Sequence, residues 1–260
     1  MNFRPDSSGK DPAFPAFKRT HWNPPPDYTF GNFVAGNSNN SAHAAAFKTA
    51  SEPGSVSGPL VIYGAPGNGK THLMSAIGFR IMSRAPEKQV CCVTSEDYHL
   101  DVERASEGRS LEPFERAYRT SDVLLLDRID SLAGKPRTQE ALYRLLAALS
   151  EKQVALTAEC HPKNLVGFDS KLMDLLANGL AVEIEPPELK LRIEILKNKA
   201  VLHHSYVLPD DVAAFIANEF TSVREREAAL YKVLAYALNN SRMVSRELAR
   251  ELLQPRISKS

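Results

Sequence analysis

Residues 59–74 read Pro-Leu-Val-Ile-Tyr-Gly-Ala-Pro-Gly-Asn-Gly-Lys-Thr-His-Leu-Met. An apolar run, Pro59–Tyr63, gives way to Gly64-Ala-Pro-Gly-Asn-Gly69-Lys70-Thr71, and a helix-like stretch, Thr71–Ser83, follows. The octet matches G-x-x-x-x-G-K-[ST] in full, with a strand before it and a helix after it, as the motif requires. Its chemistry explains its spacing. Glycines at Gly64, Gly67 and Gly69, with Asn68 between, let backbone N–H groups turn inward around phosphate oxygens with no Cβ in the way. The helix beginning near Lys70 points its positive dipole end at an anion. Lys70 is placed to reach the β- and γ-phosphates, and the Thr71 hydroxyl suits Mg²⁺. A glycine-rich turn that binds nothing is the plain alternative, and the agreement of motif and context argues against it.

Working outward, four more apolar runs read as strands: Gln89–Thr94, Asp122–Leu126, Gln153–Thr157 and Leu180–Ile184. Each is continuous and not alternating, the pattern of strands buried on both faces of a parallel sheet. Helical stretches such as Thr138–Leu149 lie between them, so the reading is a three-layer α/β domain. After Pro186 and Pro187 the strands stop, and Glu188–Leu202, Asp210–Glu219, Val223–Leu238 and Ser245–Leu253 read as helices of a small all-α domain. The expected organisation is a flexible leader over 1–26, rich in Pro, Ser, Lys and Asp, an α/β domain over 27–186, a helical lid over 187–254 and a tail over 255–260.

Composition bounds the partners. The chain of 260 residues is 43% hydrophobic and 24% charged, ordinary globular values. With 32 basic and 31 acidic residues the net charge is +1, which advertises neither nucleic acid nor an anionic membrane. Cys91, Cys92 and Cys160 form no C-x-x-C and read as reduced core thiols of a cytoplasmic protein. No apolar run approaches the roughly 20 residues of a membrane span, and the N-terminus has no secretory apolar region. His161, His203 and His204 belong to no ligand set with zinc spacing. Trp22 lies among the leader prolines.

A second acidic motif stands at Val123–Asp127, an apolar strand ending in an acid. Such an acid two strands after a phosphate loop holds Mg²⁺, often through water. The next residue is Arg128, where a hydrolase of this architecture carries a second acid to activate water. A guanidinium cannot act as a general base, and a cation near Mg²⁺ is unfavourable unless something pairs it. If Arg128 points to solvent instead, the base is still missing.

These motifs, together with several further segments, resemble the ATPase domain of the bacterial replication initiator DnaA, a clade of the AAA+ proteins. The segments are Tyr28-Thr-Phe-Gly-Asn-Phe-Val34 with Gly36 and Asn39, the loop with the following His72-Leu73, Leu132-Ala-Gly-Lys135, Thr138-Gln-Glu140, Ile184-Glu-Pro-Pro-Glu-Leu189 and Val223-Arg-Glu225. The resemblance covers about Tyr28 to Leu253. It implies a P-loop AAA+ domain with a helical lid, binding ATP or ADP with Mg²⁺. It implies that Phe30, Phe33, Val34 and Asn39 lie near the adenine, and that Gly67, Gly69, Lys70 and Thr71 hold phosphates. Asp127 serves Mg²⁺, Glu159 occupies the sensor I position and Arg224 the sensor II position, reaching from the lid to the γ-phosphate.

Departures from the family pattern shape the expected function. Family members usually carry an acid at Arg128 and Asp at Glu159. Leu175 stands where the resemblance places an arginine finger, a group that stabilises transition-state charge. Only Leu253–Ser260 follow the lid, so no origin-binding helix-turn-helix is expected, nor a helicase-contacting domain in the leader, nor double-stranded DNA binding. Lys135 and Arg137 match positions that touch single-stranded DNA in the family, yet Glu103 stands where their apolar neighbour should be, and a carboxylate repels phosphates; two surface cations on a loop is an equally good reading. The expected function is a DnaA-like ATP-binding regulator of replication initiation with weak or absent hydrolysis, working through contacts with DnaA or another AAA+ replication protein. A helicase-loader-type ATPase and a non-hydrolysing scaffold are the alternatives.

Overall fold

A computed structural model describes residues 24–54, 58–107 and 112–253. Most of the expected leader, with Trp22, and the tail lie outside the described residues. The described part divides into two compact units. One runs to Phe33 and resumes over Ser41–Ala65 and Gly69–Ile184; the other takes Val34–Asn40, Pro66–Asn68 and the residues from Glu185 onward.

The first unit is built on five parallel strands, β1 (Leu60–Tyr63), β2 (Val90–Thr94), β3 (Val123–Asp127), β4 (Gln153–Ala158) and β5 (Leu180–Glu183), in the order β2-β3-β4-β1-β5. The chain leaves β1, crosses to the far edge at β2, and winds back through β3 and β4. That reversal puts the end of β1 beside the end of β4, where open α/β sheets bind ligands. Helices α1 (Asn40–Ser51) and α2 (Lys70–Arg84) supply most of the helical side chains of one core, with Leu60, Ile62, Cys92 and Leu125 from the sheet. Helices α3 (Ser95–Glu107), α4 (Glu112–Arg119), α5 (Pro136–Ala148) and α6 (Ser170–Ala177) cover the other, with Val61, Cys91, Leu124 and Leu156.

Successive strand residues point to opposite faces, so a strand covered on both sides is apolar on both. The runs at β1 to β4 follow this over most of their length, with Thr94, Asp127, Gln153 and Thr157 as their polar positions. The same rule separates the neighbours Cys91 and Cys92 into different cores. Burial pushes the Cys91 thiol up to about 12, so it stays protonated and inert at neutral pH.

β5 corrects the expectation that every strand is covered on both faces. It is a sheet edge paired to β1 alone, and Leu180 is 38% exposed. The opposite edge strand, β2, is buried from Val90 to Val93, so edge position by itself does not decide exposure; β5 lacks the cover that β2 has, and no periodicity within Leu180–Glu183 reveals that.

The second unit holds α7 (Leu189–His204), α8 (Asp210–Glu219), α9 (Val223–Asn239) and α10 (Arg246–Leu253) around a core of Leu196, Val212, Ile216, Leu230, Leu234 and Leu248. Ser222 and Glu225 form a capping box that starts α9. Arg226 is buried and donates to the carbonyls of Phe220 and Thr221. Among the described residues no helix is long and apolar enough to cross a membrane.

Candidate phosphate-binding site

At the end of β1 the backbone turns through conformations that side chains resist. Gly64 has φ 148°, and a Cβ there would collide with the carbonyl oxygen of Ile184. Gly69 has φ 100° as N-cap of α2, and a Cβ would meet the Phe33 ring at 3.1 Å. Only glycine fits both at low cost. Lys70, the first residue of α2, is buried and folds back over the loop, its ammonium donating to the carbonyls of Gly64 at 2.7 Å and Ala65 at 3.0 Å. Burial lowers its affinity for the proton, while the charges of Glu159, Asp130 and Asp127 raise it. A cation and a helix N-terminus thus converge on one glycine-walled turn, a cradle suited to phosphate.

Asp127 ends β3 and is almost wholly buried. The Thr71 hydroxyl donates to its two oxygens at 3.1 and 3.2 Å, and Thr157, buried on β4, donates at 2.5 Å. Burial raises the Asp127 carboxyl above its ordinary value; the hydrogen bonds from Thr157 and Thr71, then the charges of Arg128 and Lys70, pull it back. Among the described residues no group of three or more His, Cys, Asp and Glu side chains could hold a metal. A hydroxyl and a carboxylate side by side nevertheless fit Mg²⁺, which takes one or two protein oxygens and completes its shell with phosphates and water. Thr71 and Asp127 would be its protein-side neighbours.

Arg128 adopts a left-handed backbone, φ 58° and ψ 59°, which costs a non-glycine residue roughly 1–3 kcal/mol. Its N–H donates to Thr157 Oγ1 at 2.8 Å, so one threonine positions both Asp127 and the turn after it. The guanidinium is more than half exposed yet paired: Nη2 lies 3.2 Å from Glu96 Oε2, and Nε lies 3.9 Å from Asp127 Oδ2. Glu96 sits in the first turn of α3, whose start is fixed by Thr94 and Asp97 capping one another. Both possibilities raised by the sequence are met together, since the cation reaches solvent and has partners.

Glu159 follows β4 with its side chain exposed; its backbone N–H donates to both oxygens of Asp130 at 2.9 and 3.0 Å. Phe33 stacks on His43, with centroids 5.6 Å apart, and meets His72 edge-on at 5.2 Å. Tyr28 stacks on His72 at 4.6 Å, and His72 Nε2 is 2.9 Å from the Thr29 carbonyl, so the aromatic segment is fastened to α2 directly after Thr71. Asn39 is buried and bonded to the Gly36 N–H and the Val34 carbonyl, which makes it the organiser of the turn before α1.

The structure therefore gathers Lys70, Thr71 and Asp127, with Gly64, Gly69 and Phe33 beside them. Gly67, Asn68 and Asn39 group with the helical unit, and Arg224 is exposed in the first turn of α9. Lys135 is half-buried as N-cap of α5, while Arg137 and Glu103 are exposed. Leu175, within α6, is half-buried against the core, with Asp174 exposed next to it. Sequence reasoning missed Thr157, Asp130 and Glu96. For Asp130 a signal existed, an acid three residues after Asp127; Thr157 and Glu96 enter through strand order and helix placement.

Comparison with known proteins places this geometry. The family model described as the bacterial DnaA ATPase domain matches residues 25–183. The chromosomal replication initiator DnaA of Dechloromonas aromatica is 47% identical over 232 residues, which are 88% of this chain and 50% of that protein. Domain III of the Thermotoga maritima DnaA superposes with a TM-score of 0.83 at 33% identity, covering 88% of this chain and 96% of that one. The AMPPCP-bound DnaA of Aquifex aeolicus matches with a TM-score of 0.75 at 29% identity over 83% of this chain and 67% of that one. The chain spans about half the length of the curated relatives it matches. Family model, sequence relatives and domain III superposition agree on one assignment: this chain belongs to the bacterial DnaA ATPase-domain family.

Proposed function

We propose that this chain is a nucleotide-binding regulator in replication initiation, holding ATP or ADP with weak or absent hydrolysis and acting through contacts with DnaA or another AAA+ replication protein. The observation that carries the reading is Arg128: Lys70 and Thr71 open α2 beside Asp127, and the residue after that acid carries a guanidinium whose Nε lies 3.9 Å from the carboxylate. The reading takes 27–186 as the nucleotide-holding domain and 187–254 as its lid, in a cytoplasmic protein.

In this reading Lys70 exchanges its carbonyl partners for phosphate oxygens, and Gly67, Asn68 and Gly69 present backbone N–H groups to them. Thr71 and Asp127 face the Mg²⁺ side, Phe33 and Asn39 the base side, and Arg224 the γ-phosphate from the lid. Bound Mg²⁺ would neutralise phosphate charge. That an AMPPCP-bound relative shares the fold supports the ligand class. On this reading the chain keeps the groups that bind and lacks groups that act on the transition state. General-base assistance is worth about 10²–10⁴ in rate and an arginine finger about 10³–10⁵. Position 128 holds a permanent cation and Leu175 packs on the core. Asp174, exposed, brings negative charge to the surface a neighbour's phosphates would face. Glu103 likewise argues against single-stranded DNA binding at Lys135 and Arg137.

Steady-state phosphate release tests the proposal. Wild type should turn over far below 1 s⁻¹, the lower end of ordinary enzyme rates, and Arg128→Glu with Leu175→Arg should be faster. A wild-type rate of about 1 s⁻¹ or more would overturn it.

A further inference from the structure

Two cations of different kinds stand at the phosphate edge. Lys70 belongs to the loop. Arg128 belongs to the end of β3, and its Nε lies 3.9 Å from Asp127 Oδ2 while the Thr71 hydroxyl lies 3.1 Å from that same oxygen. The carboxylate that faces the metal position thus already carries a fixed positive charge beside it. Arginine stays protonated in any protein environment, so this charge is permanent. The left-handed backbone, locked through the Arg128 N–H to Thr157, starts the side chain from a fixed place. Its other ion pair, to the half-exposed Glu96, is of the solvent-screened kind that releases easily.

We infer that the Arg128 guanidinium takes over part of the charge compensation that Mg²⁺ supplies, so that this chain holds nucleotide with little dependence on the metal. Two effects add. A guanidinium 3.9 Å from the carboxylate that would serve the dication repels that dication and so weakens metal binding. The guanidinium is itself a bidentate donor matched to phosphate oxygens and less strongly hydrated than an ammonium, so it can leave Glu96 for a phosphate. The inference rests on the nucleotide-binding reading above.

Isothermal titration of the full chain with ATP and with ADP, in excess MgCl₂ and in EDTA, tests it. The variants are Arg128→Glu, Arg128→Asn and Glu96→Gln. Asparagine tolerates the left-handed backbone, so Arg128→Asn removes the charge and keeps the fold if Arg128→Glu does not; circular dichroism checks each protein. Wild-type Kd should change less than about threefold between the two conditions, whereas Arg128→Asn should loosen about tenfold or more in EDTA and recover with Mg²⁺. Glu96→Gln should keep the wild-type pattern. Equal metal dependence in wild type and Arg128→Asn, or wild-type binding only with Mg²⁺, overturns the inference and leaves the nucleotide reading intact. No binding by any form in either condition overturns both.

Discussion

Replacing Thr157 with valine keeps the shape of a wholly buried side chain and deletes one hydroxyl. That hydroxyl donates to Asp127 Oδ1 at 2.5 Å and accepts the Arg128 N–H at 2.8 Å. A hydrogen bond to a charged group contributes about 1.5–3 kcal/mol and a neutral one about 0.5–1.5, so Thr157→Val should cost roughly 2–4 kcal/mol. At about 2–4 °C per kcal/mol for a domain of this size, the melting temperature should fall roughly 5–15 °C. Thr157→Ser keeps both bonds and removes a methyl, and should cost only about 1 kcal/mol. The loss also has a pH signature. Burial already raises the Asp127 carboxyl, and the Thr157 bond is the first force opposing it. Without that bond the folded-state value rises further, the native state holds its proton where the unfolded chain has lost it, and stability falls as pH rises through that window. The valine deficit should therefore be larger at neutral pH than in mild acid. Urea titrations of nucleotide-free protein, followed by circular dichroism, give the comparison. A valine variant as stable as wild type, or less harmed than the serine variant, would refute the assigned role of Thr157.

Other outcomes follow from the same geometry. Wild-type protein should melt later with Mg-ATP, by about 2.7 kcal/mol at a hundred times Kd, and Lys70→Ala should abolish the shift. Asp127→Asn should raise nucleotide-free stability at neutral pH, because the folded carboxyl is raised by burial; the gain should shrink as pH falls through the folded value, where wild type is neutral too, and melts across pH check it. Because AAA+ subunits pack head to tail and such contacts propagate, a chain with an intact nucleotide face and an altered finger face should shorten DnaA-ATP assemblies. Light scattering with increasing amounts of this chain should fall, and unchanged scattering, or filaments of this chain alone, would end the idea.

What could be read from the sequence is what local chemistry dictates. The loop Gly64–Thr71 is legible because its chemistry is local: three glycines with positive φ and the residues that open α2 are neighbours in sequence. Strands β1 to β4 are legible because burial on both faces leaves mostly apolar runs, and α9 because Ser222 and Glu225 cap it within four residues. Arg128 declared itself by occupying an acid's place. The tertiary structure decided what depends on partners distant in sequence. β5 looks like the other strands in composition, yet Leu180 is left exposed while the opposite edge strand, β2, is covered. Cys91 and Cys92 are adjacent in sequence and lie in separate cores, because the pleat sends them to opposite faces. Thr157 reaches Asp127 only because β4 lies beside β3, with Leu126 opposite Leu156. Glu96 meets Arg128 only because β2 lies on the other flank, with Thr94 opposite Asp127 and α3 starting just beyond. Residue types and local spacing carry no information about strand order, and strand order is what set one threonine and one glutamate around the guanidinium.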